Sequence, residues 1–196
     1  MLVDIDHKQV QRSLVPQMFR ISILSLCAAS SLLAQQPAAA AAGGVVAAAS
    51  ISKEARQAYT QIKNNLSKLA EKVPEDAYSY KPVDSVRTIG ELIGHISDAQ
   101  TRFCSSVNGE VKPAGASKLK AKAELVAAFK ESVAECDKAF DGLTDANAMD
   151  PIKGPRGERT RLSSLLAVVI HGNEEYGYLA VYLRMKGITP PSSEAR

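Results

Sequence analysis

The chain has 196 residues, of which 45% are hydrophobic, only 5% aromatic and none tryptophan, and its formal net charge is +3. That length suits one domain with a tail. A nucleic-acid-binding surface would need a clustered basic face. The basic residues here, Lys118, Lys120 and Lys122 and then Arg156, Arg159 and Arg161, read as solvated helix ends, so no nucleic-acid partner is expected.

Arg20 precedes an apolar run of 13 residues, Ile21 to Leu33, and small residues with Gln35 and Gln36 follow. A basic flank, a short apolar centre and a small-residue exit make a secretory signal. The run is shorter than the roughly 20 residues of a membrane-spanning helix. Met18 stands where such a signal usually begins, so residues 1–17 read as a misassigned extension of a signal peptide covering residues 1–34. The competing reading is an uncleaved anchor. Residues 35–51 are rich in Ala and Gly and read as a tether. Signal cleavage would give an exported, periplasmic protein without a membrane span.

The remainder, residues 52–193, shows four periodic segments. In the first, Ala55, Tyr59, Ile62, Leu66, Leu69 and Val73 recur at steps of three and four, which predicts an amphipathic helix capped by Ser52 and stopped at Pro74. Residues 74–86 read as a structured loop. The second helix starts at Thr88, with Glu91 in capping-box position, carries Ile89, Leu92, Ile93, Ile96, Phe103 and Val107, and ends at Asn108-Gly109. A lysine-rich linker leads to the third helix, with Leu125, Phe129, Val133, Cys136 and Phe140 on its stripe. Residues 150–157 read as a second long loop. The fourth helix runs from about Thr160 to Lys186, with Leu162, Leu166, Val169, Tyr176, Ala180 and Leu183 facing inward and Gly187 at its end. No strand-period alternation is visible between Ser52 and Gly187. The pattern is all-α, a four-helix bundle, with no second apolar stripe in evidence for dimerisation.

Outside the N-terminal extension the chain has two histidines, His95 and His171, each beside an apolar stripe. Glu175 follows His171 by four residues, so the two share a helical face. Two imidazoles and a carboxylate suit Zn²⁺, Ni²⁺, Fe²⁺ or Mn²⁺ with positions left for water or a small-molecule substrate. Histidines satisfied within a core are the bland alternative. Asp98, one turn after His95, reads as a group that orients an imidazole or supplies a weak further ligand, or else as a solvated helix residue. Tyr178 and Tyr182 lie a turn or two beyond the His171–Glu175 pair, and Tyr182 and Arg184 also read as packing for the C-terminal loop. Cys104 and Cys136 sit on neighbouring helices; a disulfide and two packed free thiols are both compatible with that.

The stretch Ser85 to Gln100, containing Ile93-Gly94-His95, resembles the second-helix signature of the DinB/YfiT-like superfamily. The stretch His171 to Pro191, with Tyr182-Leu183-Arg184 and the Gly187-Ile188-Thr189-Pro190-Pro191 ending, resembles its fourth-helix signature. The resemblance covers residues 52–193. It implies an up-down-down-up bundle with a three-histidine metal site, one ligand from the second helix and two from the fourth at i and i+4. It also implies homodimers in many members and, where activity is known, thiol-dependent transferases or isomerases. His95 and His171 match the first two ligand positions, whereas Glu175 stands where the family usually has histidine. Either the carboxylate ligates, or the site is degenerate and Glu175 bonds a protonated histidine. Two functions therefore compete. One is an exported metal-dependent hydrolase or thiol transferase; the other is a non-catalytic binding or stress-associated bundle.

Overall fold

A computed structural model describes residues 50–154 and 157–194. The signal peptide, the extension before it and all but the last two residues of the tether lie outside the described residues. Four helices dominate: α1 (Ile51–Lys72), α2 (Ile89–Val107), α3 (Lys122–Asp141) and α4 (Arg161–Met185).

Local chemistry starts and stops each helix. The hydroxyl of Ser50, two residues before the expected Ser52, accepts from the Lys53 amide and caps α1. Ser52 lies within the first turn, where its amide donates to Asp145 at 2.8 Å and ties the helix start to the segment after α3. Pro74 lies just beyond α1, and a short 3₁₀ turn, Glu75–Ser79, follows. The capping box of α2 forms as expected: the Glu91 amide donates to Thr88 Oγ1 at 3.1 Å and the Thr88 amide donates to Glu91 Oε2 at 3.0 Å. Gly187 closes α4 at φ +73°, a conformation open to glycine, and lets the Ile188 amide reach Leu183 O at 2.8 Å.

Contacts along the helices establish the up-down-down-up order. On the α1–α3 pair, Arg56 bonds Leu143 O near one end and Glu71 pairs with Lys130 near the other, so the two run antiparallel. Ile62 packs against Gly172, and Lys72 donates to Thr189 O beyond the end of α4, so α1 and α4 run parallel. The α2–α3 linker returns alongside α2, passing close over Gly94, before α3 starts. Cys104 and Cys136 then join the later halves of the two helices through a disulfide, so α2 and α3 are parallel too. Of the two readings left open for these cysteines, the structure has the bond.

The buried stripes of the four helices meet in one core. Tyr59, Leu69, Ile93, Leu125, Phe140 and Leu183 are all nearly inaccessible. Full burial of each aliphatic side chain among them contributes roughly 1.5–3 kcal/mol, and Tyr59 stacks on Phe140 with ring centroids 4.0 Å apart.

Three expectations need correction. The described residues of the 150–157 segment are not irregular loop throughout. Pro151–Gly154 (β1) and Gly157–Thr160 (β2) pair antiparallel, with Ile152 opposite Arg159. Four-residue strands are too short to show a period of two, and Pro151 is tolerated because it is the first residue of its strand. Leu166 is 36% exposed rather than facing inward. It belongs to a spare apolar strip on the outside of α4, with Ile170, Val181 and Met185 also exposed. That helix is apolar almost all the way round, so its inward stripe hid the outward one. Among the described residues, no helix is long and apolar enough to cross a membrane.

Candidate metal centre

Two helices carry the three side chains. On α2 the capping box fixes the start of the helix, and the buried neighbours Leu92 and Ile96 fix its rotation. His95 is thereby left half-buried at the edge facing α4. On α4, Gly172 gives up its side chain where Ile62 of α1 presses close; a Cβ there would meet Ile62 at 3.2 Å. This close approach seats the middle of α4, and His171 and Glu175, one turn apart, face α2.

The three side chains converge. Nε2 of His171 lies 3.1 Å from Nε2 of His95. Glu175 Oε1 lies 3.5 Å from each of those nitrogens. A circle through the three atoms has a radius of about 2 Å, close to the 2.0–2.2 Å bonds of a first-row divalent metal to imidazole nitrogen and carboxylate oxygen. The imidazoles keep about a quarter of their side-chain surface exposed, while Glu175 is buried. Its second oxygen, Oε2, has no hydrogen-bond partner among the described residues.

Electrostatics point the same way. Burial pushes the Glu175 carboxyl above its ordinary range, against the pull of Arg87 and with a further push from Glu174. Burial also holds His95 below the usual imidazole range, helped by the charges of Arg87, His171 and Arg102 and opposed by Asp98. A His95–Glu175 contact at 3.5 Å is an ion pair only when the imidazole is protonated, and these shifts disfavour that state. Without a cation, therefore, the cluster holds a His95 that resists protonation and a poorly compensated buried carboxylate. An unpaired buried acceptor is costly, and a cation at the convergence point would reverse the Glu175 shift while favouring the neutral His95 that burial already favours. The donor set thus fits a divalent ion.

Asp98 is neither a ligand nor a solvated residue. It is buried and turned away from the cluster, accepting from the Ala116 amide at 2.7 Å and the Ser117 amide at 3.1 Å. Tyr178 is exposed and donates to Glu174 at 3.3 Å. Tyr182 is buried edge-on against Tyr80, ahead of α2, and Arg184 donates to Ser193 Oγ at 2.8 Å, so Tyr182 packs between elements and Arg184 ties down the C-terminal segment. Three arginines lie near the site that the sequence reading does not make part of it, Arg159 among them having the reading of a solvated helix end. Arg87 borders a recess of about 550 Å³ beside Glu175, while Arg102 and Arg159 line a groove of about 820 Å³ that reaches both histidines. The available signal was spacing: Arg102 follows His95 by seven residues, two helical turns along one face.

The family model described as the DinB superfamily matches residues 58–179. Two solved structures share the fold. A DinB-like protein from Bacillus cereus ATCC 10987 is 18% identical, with a TM-score of 0.57 over 71% of this chain and 95% of its own. A DinB-like protein from Bacillus subtilis is 24% identical, with a TM-score of 0.53 over 69% of this chain and 93% of its own. Comparison with curated proteins finds no match.

Proposed function

The chain belongs to the DinB superfamily, and on that premise we propose that it is an exported protein with a divalent-metal centre held by His95, His171 and Glu175 and working as a metal-dependent hydrolase. The observation that carries the reading is the buried Glu175 carboxylate, which has an unpartnered Oε2 while its Oε1 converges with two imidazole nitrogens. A bound Zn²⁺, Ni²⁺, Fe²⁺ or Mn²⁺ would supply Lewis-acid activation of a water on the open side of the cluster. The chain's own groups then have defined tasks. His95 and His171 present Nε2 lone pairs, and the resistance of His95 to protonation keeps its own lone pair free near neutral pH. Glu175 lowers the net charge of the site relative to a third histidine and makes it harder, favouring oxygen nucleophiles over thiols. Arg87 offsets part of the carboxylate's charge.

Hydrolysis is preferred to thiol transfer on the compartment argument. A buried disulfide between Cys104 and Cys136 fits an oxidising environment, as does the signal-like segment after Arg20. A second reading, a non-catalytic bundle, draws on the 3.1 Å contact between the histidines, which one imidazole can satisfy by donating to the other without any metal. Metal analysis by mass spectrometry decides between them. The reading expects close to one equivalent of a transition metal in the purified protein and a large loss in His171→Ala. A metal-free protein after growth and dialysis with ample Zn²⁺, Ni²⁺, Fe²⁺ and Mn²⁺ would defeat it. N-terminal sequencing of protein recovered from the periplasm tests the export reading separately.

A further inference from the structure

The groove of about 820 Å³ beside the histidines has two unlike parts. One wall is apolar and unusually open to solvent: Ile170 is 68% exposed, Met149 69% and Leu166 36%. Exposed apolar clusters of this kind mark binding surfaces. The other part is cationic. Arg102 lines the groove, and its guanidinium makes no hydrogen bond or ion pair with another described residue. Arg159 also lines it, spending one nitrogen on Ser163 O at 3.2 Å and Ser163 Oγ at 3.0 Å. Glu174, the acidic residue of the lining, lies three residues after His171 and accepts from Tyr178, so negative charge stays at the histidine end.

The helical rise turns this into a distance. His95 and Arg102 are seven residues apart on α2, about 10 Å along the axis. The antiparallel α4 carries His171, then Ile170, Leu166 and Ser163 in the same direction. The groove therefore leads from two metal-ligating candidates, across an aliphatic wall, to a guanidinium whose charge is felt at Asp98 but which keeps its hydrogen-bond donors. Its volume falls in the range of small-molecule sites, and arginine is the side chain best shaped to hold a carboxylate by two parallel hydrogen bonds.

We propose that this groove binds an amphipathic organic anion, an aliphatic chain ending in a carboxylate, with the carboxylate on Arg102 and the chain along Leu166 and Ile170. The far end of the chain then lies at His95 and His171. This names a substrate class for the site and rests on the metal-centre reading only for where the reacting end lies, because the anion and chain contacts need no metal.

Isothermal titration of the full chain with octanoate, before and after chelator treatment, tests the proposal, with acetate and octan-1-ol as probes of the charge and the chain alone. Octanoate is expected to bind at least tenfold more tightly than either, in both preparations. Arg102→Gln should lower octanoate affinity about tenfold and leave it near that of octan-1-ol, and Ile170→Glu should weaken octanoate and octan-1-ol together. Circular dichroism of both variants should match the parent, as expected for substitutions at exposed positions. Equal binding of octanoate and octan-1-ol, indifference to Arg102→Gln, or no binding of octanoate would each overturn the proposal. So would a dimer in sedimentation velocity that Ile170→Glu dissolves without any octanoate binding, since the apolar wall would then face a second copy. Failure of the metal-centre reading shows separately, as a metal-free protein whose octanoate titration is unchanged.

Discussion

His95 and His171 come from helices running in opposite directions, yet their Nε2 atoms stand 3.1 Å apart over the Oε1 of Glu175. Burial disfavours both a charged Glu175 and a charged His95. Such an arrangement is poor for the stability of the metal-free fold and good for holding a cation, and the two properties separate on mutation.

Glu175→Gln makes that separation measurable. A carboxyl whose folded pKa is raised contributes stability that is present below its unfolded value, near 4.5, and lost as pH rises through the folded value. Metal-free Glu175→Gln should therefore match the parent near pH 4 and exceed it at pH 8, by on the order of 1 kcal/mol, the scale for an unsatisfied buried acceptor. With metal the order should reverse. Loss of outer-shell partners alone typically lowers metal affinity 10–100-fold, and loss of a ligand should do at least as much. Urea midpoints at the two pH values, with and without Zn²⁺, check both signs; a parent more stable than the variant at pH 8 without metal would contradict the argument.

Much of this was legible before any coordinates. Thr88 and Glu91 announce their capping box, and His171 and Glu175 announce a shared face by their spacing, because both signals are local. What stayed hidden depends on chain segments distant in sequence. Asp98 could not be assigned because its partners, the Ala116 and Ser117 amides, reach it only after the linker folds back along α2. The β1–β2 hairpin could not be seen because its strands are shorter than the window in which alternation is detectable. Arg102 carries no sequence signal beyond its spacing from His95, and only the walls of the groove beside it give it a place.

Asp98 should prove structural. Burial alone would raise its carboxyl, but hydrogen bonds from Ser117 and Ala116, with the charge of Arg102, outweigh that and hold it below its ordinary 3.8. A lowered folded pKa means stability present above 3.8 and lost as pH falls through the folded value. Asp98→Asn keeps an acceptor but loses the charge, and hydrogen bonds to charged groups contribute about 1.5–3 kcal/mol. A destabilisation of about 1–2 kcal/mol is expected at pH 7, shrinking in acid below 3.8, with metal content unchanged. Metal loss in a folded Asp98→Asn protein would instead make this residue part of the centre.

The Cys104–Cys136 bond closes a loop with a sequence separation of 32 between helices that are parallel neighbours. Loop-closure entropy for that length amounts to about 3–4 kcal/mol on the chain-entropy account. Both sulfurs are buried in the core, so paired replacement by alanine removes the link and some packing besides, and the reductant comparison isolates the link. Denaturant midpoints for Cys104→Ala/Cys136→Ala should fall by roughly that amount, and a reducing agent should lower the parent's midpoint while leaving the double variant unmoved. A parent insensitive to reductant under unfolding conditions would show that the bond is not formed in solution.

Two glycine positions should respond to alanine in opposite directions. A Cβ at Gly94 would lie 2.8 Å from Ala116 O and 2.9 Å from Ser117 Cα, so it would collide with linker backbone that Asp98 holds from the next turn. A flexible side chain could yield there, but backbone pinned by two hydrogen bonds cannot move without weakening them. The helix-propensity gain of about 1 kcal/mol for Gly→Ala is then outweighed by overpacking of about 1–3 kcal/mol, and Gly94→Ala should be less stable than the parent. Gly177 lies on the exposed side of α4 with nothing within 4 Å of its Cβ position. Nothing opposes the propensity there, so Gly177→Ala should be more stable by up to about 1 kcal/mol. Thermal melts of the two variants beside the parent check the pair. If Gly94→Ala were also stabilising, the linker would have to be free to move away from α2, and the account of Asp98 as its anchor would fail with it.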